Sequence, residues 1–163
     1  MAGKIHVAIT DELIDIAAAH SFVADPAHGA VNSFVGAVRD KNLGRDVVGV
    51  SYDVFEPLAE KVLQGLCEKV RDEHDGKINI YLSHFKGRLD VGGISVAIVV
   101  STPHRAESFT ACRALIENLK RNAPIWKQEH YTDGDSEWVK GHALCQHGHD
   151  HNDDNDQKKH AHG

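Results

Sequence analysis

The residues best suited to chemistry lie in Leu119–Glu129, LKRNAPIWKQE, where Lys120 and Lys127 bracket a Pro-Ile-Trp turn. A lysine kept neutral by desolvation and nearby cations is a nucleophile or general base. Kept charged, it grips an anion or stabilises an oxyanion. The stretch before the turn reads as an amphipathic helix with Phe109, Cys112, Ile116 and Leu119 on one apolar stripe. At about 100° per residue, Lys120 falls about 20° from Phe109, on the edge of that stripe. There it either snorkels to water or works in a partly dry pocket. In the strand expected from Ile125, Lys127 and Glu129 share one face, and Trp126 and Gln128 share the other. The plain alternative is an ordinary Lys–Glu surface pair.

Two basic groups could hold an anion. Arg39, Lys41 and Arg45 are three cations within seven residues after a strand, with Arg39 nearest the strand end. The arginine fork suits phosphate or carboxylate; the alternative is a solvated loop. His104 and Arg105 follow Thr102-Pro103 at a helix start, where free N–H groups favour anions. The alternative is an exposed polar first turn. Fifteen positions separate Arg105 from Lys120 on one helix, about 22 Å along its axis. A small substrate cannot reach both on one chain, so a single site using both draws one of them from a second copy, as in a homodimer.

Beyond His142 the composition changes. Residues 142–163 hold six of the thirteen histidines, with Asp and Asn and little apolar content, and read as a disordered tail. His147, His149 and His151 have donors suited to Zn, Ni or Cu, but no surrounding fold is evident to set their geometry. The alternative is a solvated tail, and no dedicated metal site is assigned. His6, His20, His28, His74 and His84 are scattered and match no ligand spacing. The cysteines, Cys67, Cys112 and Cys145, form no CxxC pair, which fits a reducing cytoplasm.

The elements that must position these groups are legible in order. Strands are expected at Lys4–Thr10, Ala30–Val38, Val47–Phe55, Lys77–Phe85, Val91–Ser101 and Ile125–Thr132, with a strand-like segment around Trp138. Helices are expected over Asp11–His20 with Thr10 as N-cap, from Pro57 to about Asp72, and from Thr102-Pro103 through Asn122. Phe22–Gly29, Arg39–Asp46 and Lys86–Asp90 read as loops or turns. One globular domain over 1–141 and a tail over 142–163 follow. A net charge of −6 provides no basic field for nucleic acid. No opening signal segment and no apolar run of membrane-spanning length are evident. The expectation is a cytoplasmic protein without a membrane or nucleic-acid partner.

Four stretches together carry a resemblance: FVGAVRDKNLGRDV (Phe34–Val47), SYDVFEPLAEK (Ser51–Lys61), GRLDVGGISVAIVVSTPHRAESFTACRALIENLK (Gly87–Lys120) and PIWKQEHYTDGDSEWV (Pro124–Val139). They resemble the large, catalytic subunit family of molybdopterin synthase. The resemblance implies an α+β fold, of α/β hammerhead type with an additional antiparallel sheet. It implies a sulfurtransferase of molybdenum cofactor biosynthesis that converts cyclic pyranopterin monophosphate to molybdopterin and requires no cofactor. The dithiolene sulfurs would come from the thiocarboxylated C-terminal Gly-Gly of a small ubiquitin-like subunit. The expected assembly is a homodimer of large subunits within a heterotetramer. Lys120 and Lys127 match the family's catalytic lysines, with Lys120 beside the incoming glycine. Ala37, Val38, Arg39, His104, Arg105, Lys120, Lys127, Gln128 and Glu129 would bind substrate, although the family often has Lys where this chain has Gln128. The histidine-rich tail lies outside the family pattern.

Overall fold

The computed structural model describes residues 2–140. The tail histidines His147, His149 and His151 and the domain boundary at 141 lie outside the described residues. In chain order the elements are β1 (Ile5–Thr10), α1 (Ile16–Val23), β2 (Ala30–Ala37), β3 (Lys41–Asn42), β4 (Arg45–Val54), α2 (Glu56–Glu73), β5 (Asn79–Phe85), β6 (Gly87–Asp90), β7 (Ile94–Thr102), α3 (Arg105–Asn122), β8 (Ile125–Tyr131), β9 (Gly134–Asp135) and β10 (Val139–Lys140).

The chain builds two sheets. The first runs β1-β5-β7-β2, with β1 parallel to β5 and the other pairs antiparallel. Its central strand β7, ISVAIVVST, is buried almost throughout, because helices cover both faces. Ile80 and Leu82 of β5 and Val96, Ile98 and Val100 of β7 join Leu63, Cys67 and Val70 of α2 and Leu115 and Leu119 of α3 in the main core. Val99 packs instead with Ala19 and Val23 of α1 on the opposite face. The second sheet is antiparallel and organised on β4, which pairs with β3, β6 and β8. Val47, Val50, Leu89 and Tyr131 form its smaller core with Val38 and Phe85. The chain is thus α+β with a separate antiparallel sheet.

Four local expectations change. Helix α1 starts at Ile16, capped by Asp15, whose Oδ1 accepts from the Ala18 N–H at 3.1 Å. Thr10 Oγ1 instead accepts from the Glu12 N–H at 3.0 Å, a local turn that competes with helix. Lys86–Asp90 is mostly strand, because Gly87–Asp90 finds an edge of β4 to pair with. The buried stripe of α3 is Ser108, Ala111, Cys112, Leu115 and Leu119, and Phe109 stands outside it at 63% exposure. Small Ser108 and Ala111 allow close approach to the sheet, which turns the helix away from the bulky ring.

The fourth change is Arg39–Asp46, which closes as a β3–β4 hairpin rather than an open loop. Its two turn residues, Leu43 and Gly44, have φ of 53° and 74°, the left-handed pair of a tight hairpin. Gly44 tolerates this; Leu43 carries the steric cost. Because Leu43 is exposed, Leu43→Asn is expected to stabilise the protein by about 0.5–1 kcal/mol. A denaturant midpoint that stays the same or falls would contradict this.

Candidate functional site

Helix α3 ends where Ala123 N–H donates back to the Leu119 carbonyl, and the chain turns through Pro124 into β8. Lys120 therefore sits in the last helical turn, partly buried. Lys127 follows on β8, directly across from Tyr52 of β4. Side-chain alternation holds as expected: Lys127 Nζ lies 3.4 Å from Glu129 Oε1 on one face. Glu129 is 7% exposed, so this is an inward-facing pair and not a surface one.

Two clefts adjoin here. One lies against Lys120, Lys127, Tyr52, His84, Leu119 and Trp126. The other is lined by Ala37, Val38, Arg39, Lys41, Tyr52, Lys127 and Glu129 among others. A register shift in the β2–β7 ladder sets Gly36 opposite Val96 and Ala37 opposite Ile94, leaving Ser95 as the extra residue on β7, and such a bulge increases the local twist. The three clustered cations then separate in role. Lys41 Nζ pairs with Asp46 Oδ1 at 2.6 Å. Arg45 pairs with Asp133 at 2.6 Å and lies over the Tyr131 ring at 3.6 Å. Arg39 has no carboxylate within ion-pair distance among the described residues, which leaves its fork available for a bound anion.

The structure thus brings together Ala37, Val38, Arg39, Lys120, Lys127 and Glu129. It does not bring Gln128, which occupies the other face of β8 and donates from Nε2 to the Ser136 carbonyl at 3.2 Å. On that face Ser51 donates to His130 Nε2 at 2.6 Å and His130 Nδ1–H donates to Asp135 at 2.9 Å, pinning β9 to the sheet. His104 and Arg105 are exposed at the opposite end of α3. The helix is unbroken, so the separation of about 22 Å from Lys120 stands.

Sequence reasoning missed Tyr52 and His84. His84 continues the inward row Ile80, Leu82 along β5, a period-two signal that was available. Its Nδ1–H donates to the Phe85 carbonyl at 2.8 Å, so Nε2 keeps the ring's lone pair. Burial, opposed by that hydrogen bond and reinforced by the Lys120 charge, pushes the imidazole down to about 4. It is neutral at working pH. Burial also pushes the Tyr52 phenol up; a hydrogen bond with Ser95 opposes this and the Glu129 charge adds to it.

The His84 shift has a stability consequence. Between pH about 6.5 and about 4 the unfolded chain binds a proton on His84 that the folded chain refuses. Stability from this residue is complete above that window and declines as pH falls through it, by up to about 3 kcal/mol. His84→Gln cannot titrate. The gap in urea midpoint between wild type and this variant should therefore shift toward the variant on going from pH 7 to pH 4.5; a gap independent of pH would refute the assignment.

A family model described as MoaE protein matches residues 9–122. The molybdopterin synthase catalytic subunit of Synechococcus elongatus is 47% identical over 133 residues, covering 82% of this chain and 81% of that protein. The crystal structure of molybdopterin synthase from Staphylococcus aureus superposes with a TM-score of 0.76 at 31% identity, covering 80% of this chain and 94% of that one. A protein–protein complex of subunits 1 and 2 of molybdopterin-converting factor from Helicobacter pylori superposes with a TM-score of 0.67 at 25% identity, over 79% and 87% of the two chains.

Proposed function

The chain belongs to the MoaE family, the catalytic subunits of molybdopterin synthase, and from that premise we propose how its own residues carry out the sulfur transfer. It is an enzyme of molybdenum cofactor biosynthesis that transfers sulfur in the formation of molybdopterin. The observation that carries the residue-level reading is the pair of adjoining clefts with Lys127 on the wall between them.

In this reading the Lys120 cleft receives the C-terminal glycine of a small ubiquitin-like subunit, which carries the sulfur as a thiocarboxylate. The Helicobacter pylori relative is a two-subunit complex, which supports a small partner of this kind. The Arg39 cleft receives cyclic pyranopterin monophosphate. Arg39 grips its phosphate by charge-assisted hydrogen bonds, and the inward Lys127–Glu129 pair offers a cation and a hydrogen-bond acceptor to the pterin. The thiocarboxylate sulfur attacks an electrophilic carbon of the pterin to give an acyl thioester. Water then adds to the donor carbonyl, Lys120 at the helix C-terminus stabilises the negative charge that develops on its oxygen, and the acyl C–S bond breaks to leave the sulfur on the pterin and a carboxylate on the donor. A dithiolene holds two sulfurs, so two donor tails are consumed for each product. No cofactor or metal enters this scheme.

His104 and Arg105 enter from a second copy. The length of α3 supports this, since one small substrate cannot touch both of its ends. The proposed assembly is a homodimer of this chain with a small subunit on each protomer. The proposed compartment is the cytoplasm, which suits the unpaired Cys67 and Cys112. The purified chain, mixed with a thiocarboxylated ubiquitin-like donor and cyclic pyranopterin monophosphate, should yield the dithiolene product. An intact donor and no product after prolonged incubation would refute the reading.

A further inference from the structure

Among the described residues, only Tyr52 and Lys127 line both clefts. Tyr52 also packs against both the main core and the smaller core of the second sheet. Its ring stands edge-on to His84, with centroids 5.2 Å apart and planes at 75°, on the Lys120 side. Ser95 faces the Tyr52 phenol and opposes the effect of burial on it, and Ser95 Oγ donates to the Gly36 carbonyl at 3.2 Å. Gly36 flanks the register shift opposite Ser95, and Ala37, Val38 and Arg39 just beyond it line the other cleft. A Cβ at Gly36 would meet Val96 at 2.8 Å and Ser95 Oγ at 3.1 Å, so this anchor has no slack. One side chain, packed against both cores, stands between the clefts.

We propose that Tyr52 is a positioning residue for sulfur transfer, a fixed partition that shields the donor thiocarboxylate from water and confines its meeting with the pterin to the Lys127 side. This rests on the assignment of the Lys120 cleft to the donor and the Arg39 cleft to the pterin. The physical need is clear from the donor's competing fate. Water can add to the carbonyl carbon and the C–S bond then breaks, giving carboxylate and hydrogen sulfide: R–COS⁻ + H₂O → R–COO⁻ + H₂S. Hydrolysis and transfer consume the same donor, so the yield depends on excluding water until the acceptor is in place. The ring supplies the exclusion. The edge-on His84 ring and the packing against both cores hold the ring in place.

The test measures dithiolene formed and sulfide released for each donor consumed, in single turnovers with a thiocarboxylated ubiquitin-like protein and cyclic pyranopterin monophosphate. Tyr52→Phe keeps the ring and should stay within about twofold of wild-type yield. Tyr52→Leu should leak sulfide, and Tyr52→Ala should lose about tenfold in product per donor consumed while donor consumption continues. If the Ala variant does not fold, the comparison of Phe with Leu decides. A merely structural role would lower consumption and product together with the yield unchanged, and that result overturns the proposal. So does an unchanged yield in the Leu variant. A wild-type chain that makes no product overturns the cleft assignment and this proposal with it; a competent wild type with insensitive variants overturns the proposal alone.

Discussion

Replacing Lys120 by alanine is expected to lower the rate of dithiolene formation by about 10²-fold to 10³-fold, the size of effect seen when one charge-stabilising donor is removed from a reaction centre. The fold should survive. Lys120 is in the last turn of α3, where its charge complements the helix dipole, an effect of about 0.3–1 kcal/mol. The main core beneath it is anchored by Leu115 and Leu119 and does not depend on the lysine. The melting midpoint should fall by no more than about 2–4 °C. Activity within a fewfold of wild type would remove Lys120 from the chemistry. The same variant tests the shared site. Mixed with Arg105→Ala chains, it forms heterodimers with one site carrying both substitutions and one carrying neither. Statistical mixing then restores about a quarter of wild-type activity in a symmetric dimer. No recovery would place both residues' functions on one chain.

Arg39→Ala is expected to raise the KM for the pterin substrate by about 10-fold to 100-fold, the loss of one charge-assisted hydrogen-bonding partner of about 1.5–3 kcal/mol. The neighbouring cations cannot substitute. Lys41 is held by Asp46, and Arg45 is held by Asp133 and stacked on Tyr131. Stability should change by less than about 0.5 kcal/mol, since Arg39 is exposed and has no ion-pair partner among the described residues to orphan. Lys41→Ala is the control, expected to leave KM nearly unchanged. An unaltered KM in Arg39→Ala would count against the phosphate grip.

Much of the site's outline was readable in advance because it depends on short-range geometry. Lys127 and Glu129 sit two apart on a strand and had to share a face; the structure adds that this face is the buried one. The same parity puts Gln128 on the opposite face of β8, where it donates to the Ser136 carbonyl. The wheel of α3 set Lys120 at the edge of an apolar stripe, but the stripe's centre lies nearer Ala111 and Leu115 than Phe109. Hydrophobicity alone ranks phenylalanine first, whereas close packing on a sheet selects the smaller residues.

By itself the chain's order of residues determined the run of strands and helices, the distance between Arg105 and Lys120, and a family resemblance, later matched by relatives, that implied the α+β class. These follow from local periodicities of two and 3.6 residues and from motifs contiguous in the chain. Tertiary structure alone decided that Tyr52 of β4 and His84 of β5 stand beside Lys120 of α3, that Lys41 and Arg45 are ion-paired while Arg39 has no such partner among the described residues, and that the Arg39–Asp46 segment is a hairpin. Those outcomes depend on which strand meets which across long stretches of chain. The packing of one sheet on two helices settles that only when every other contact is in place.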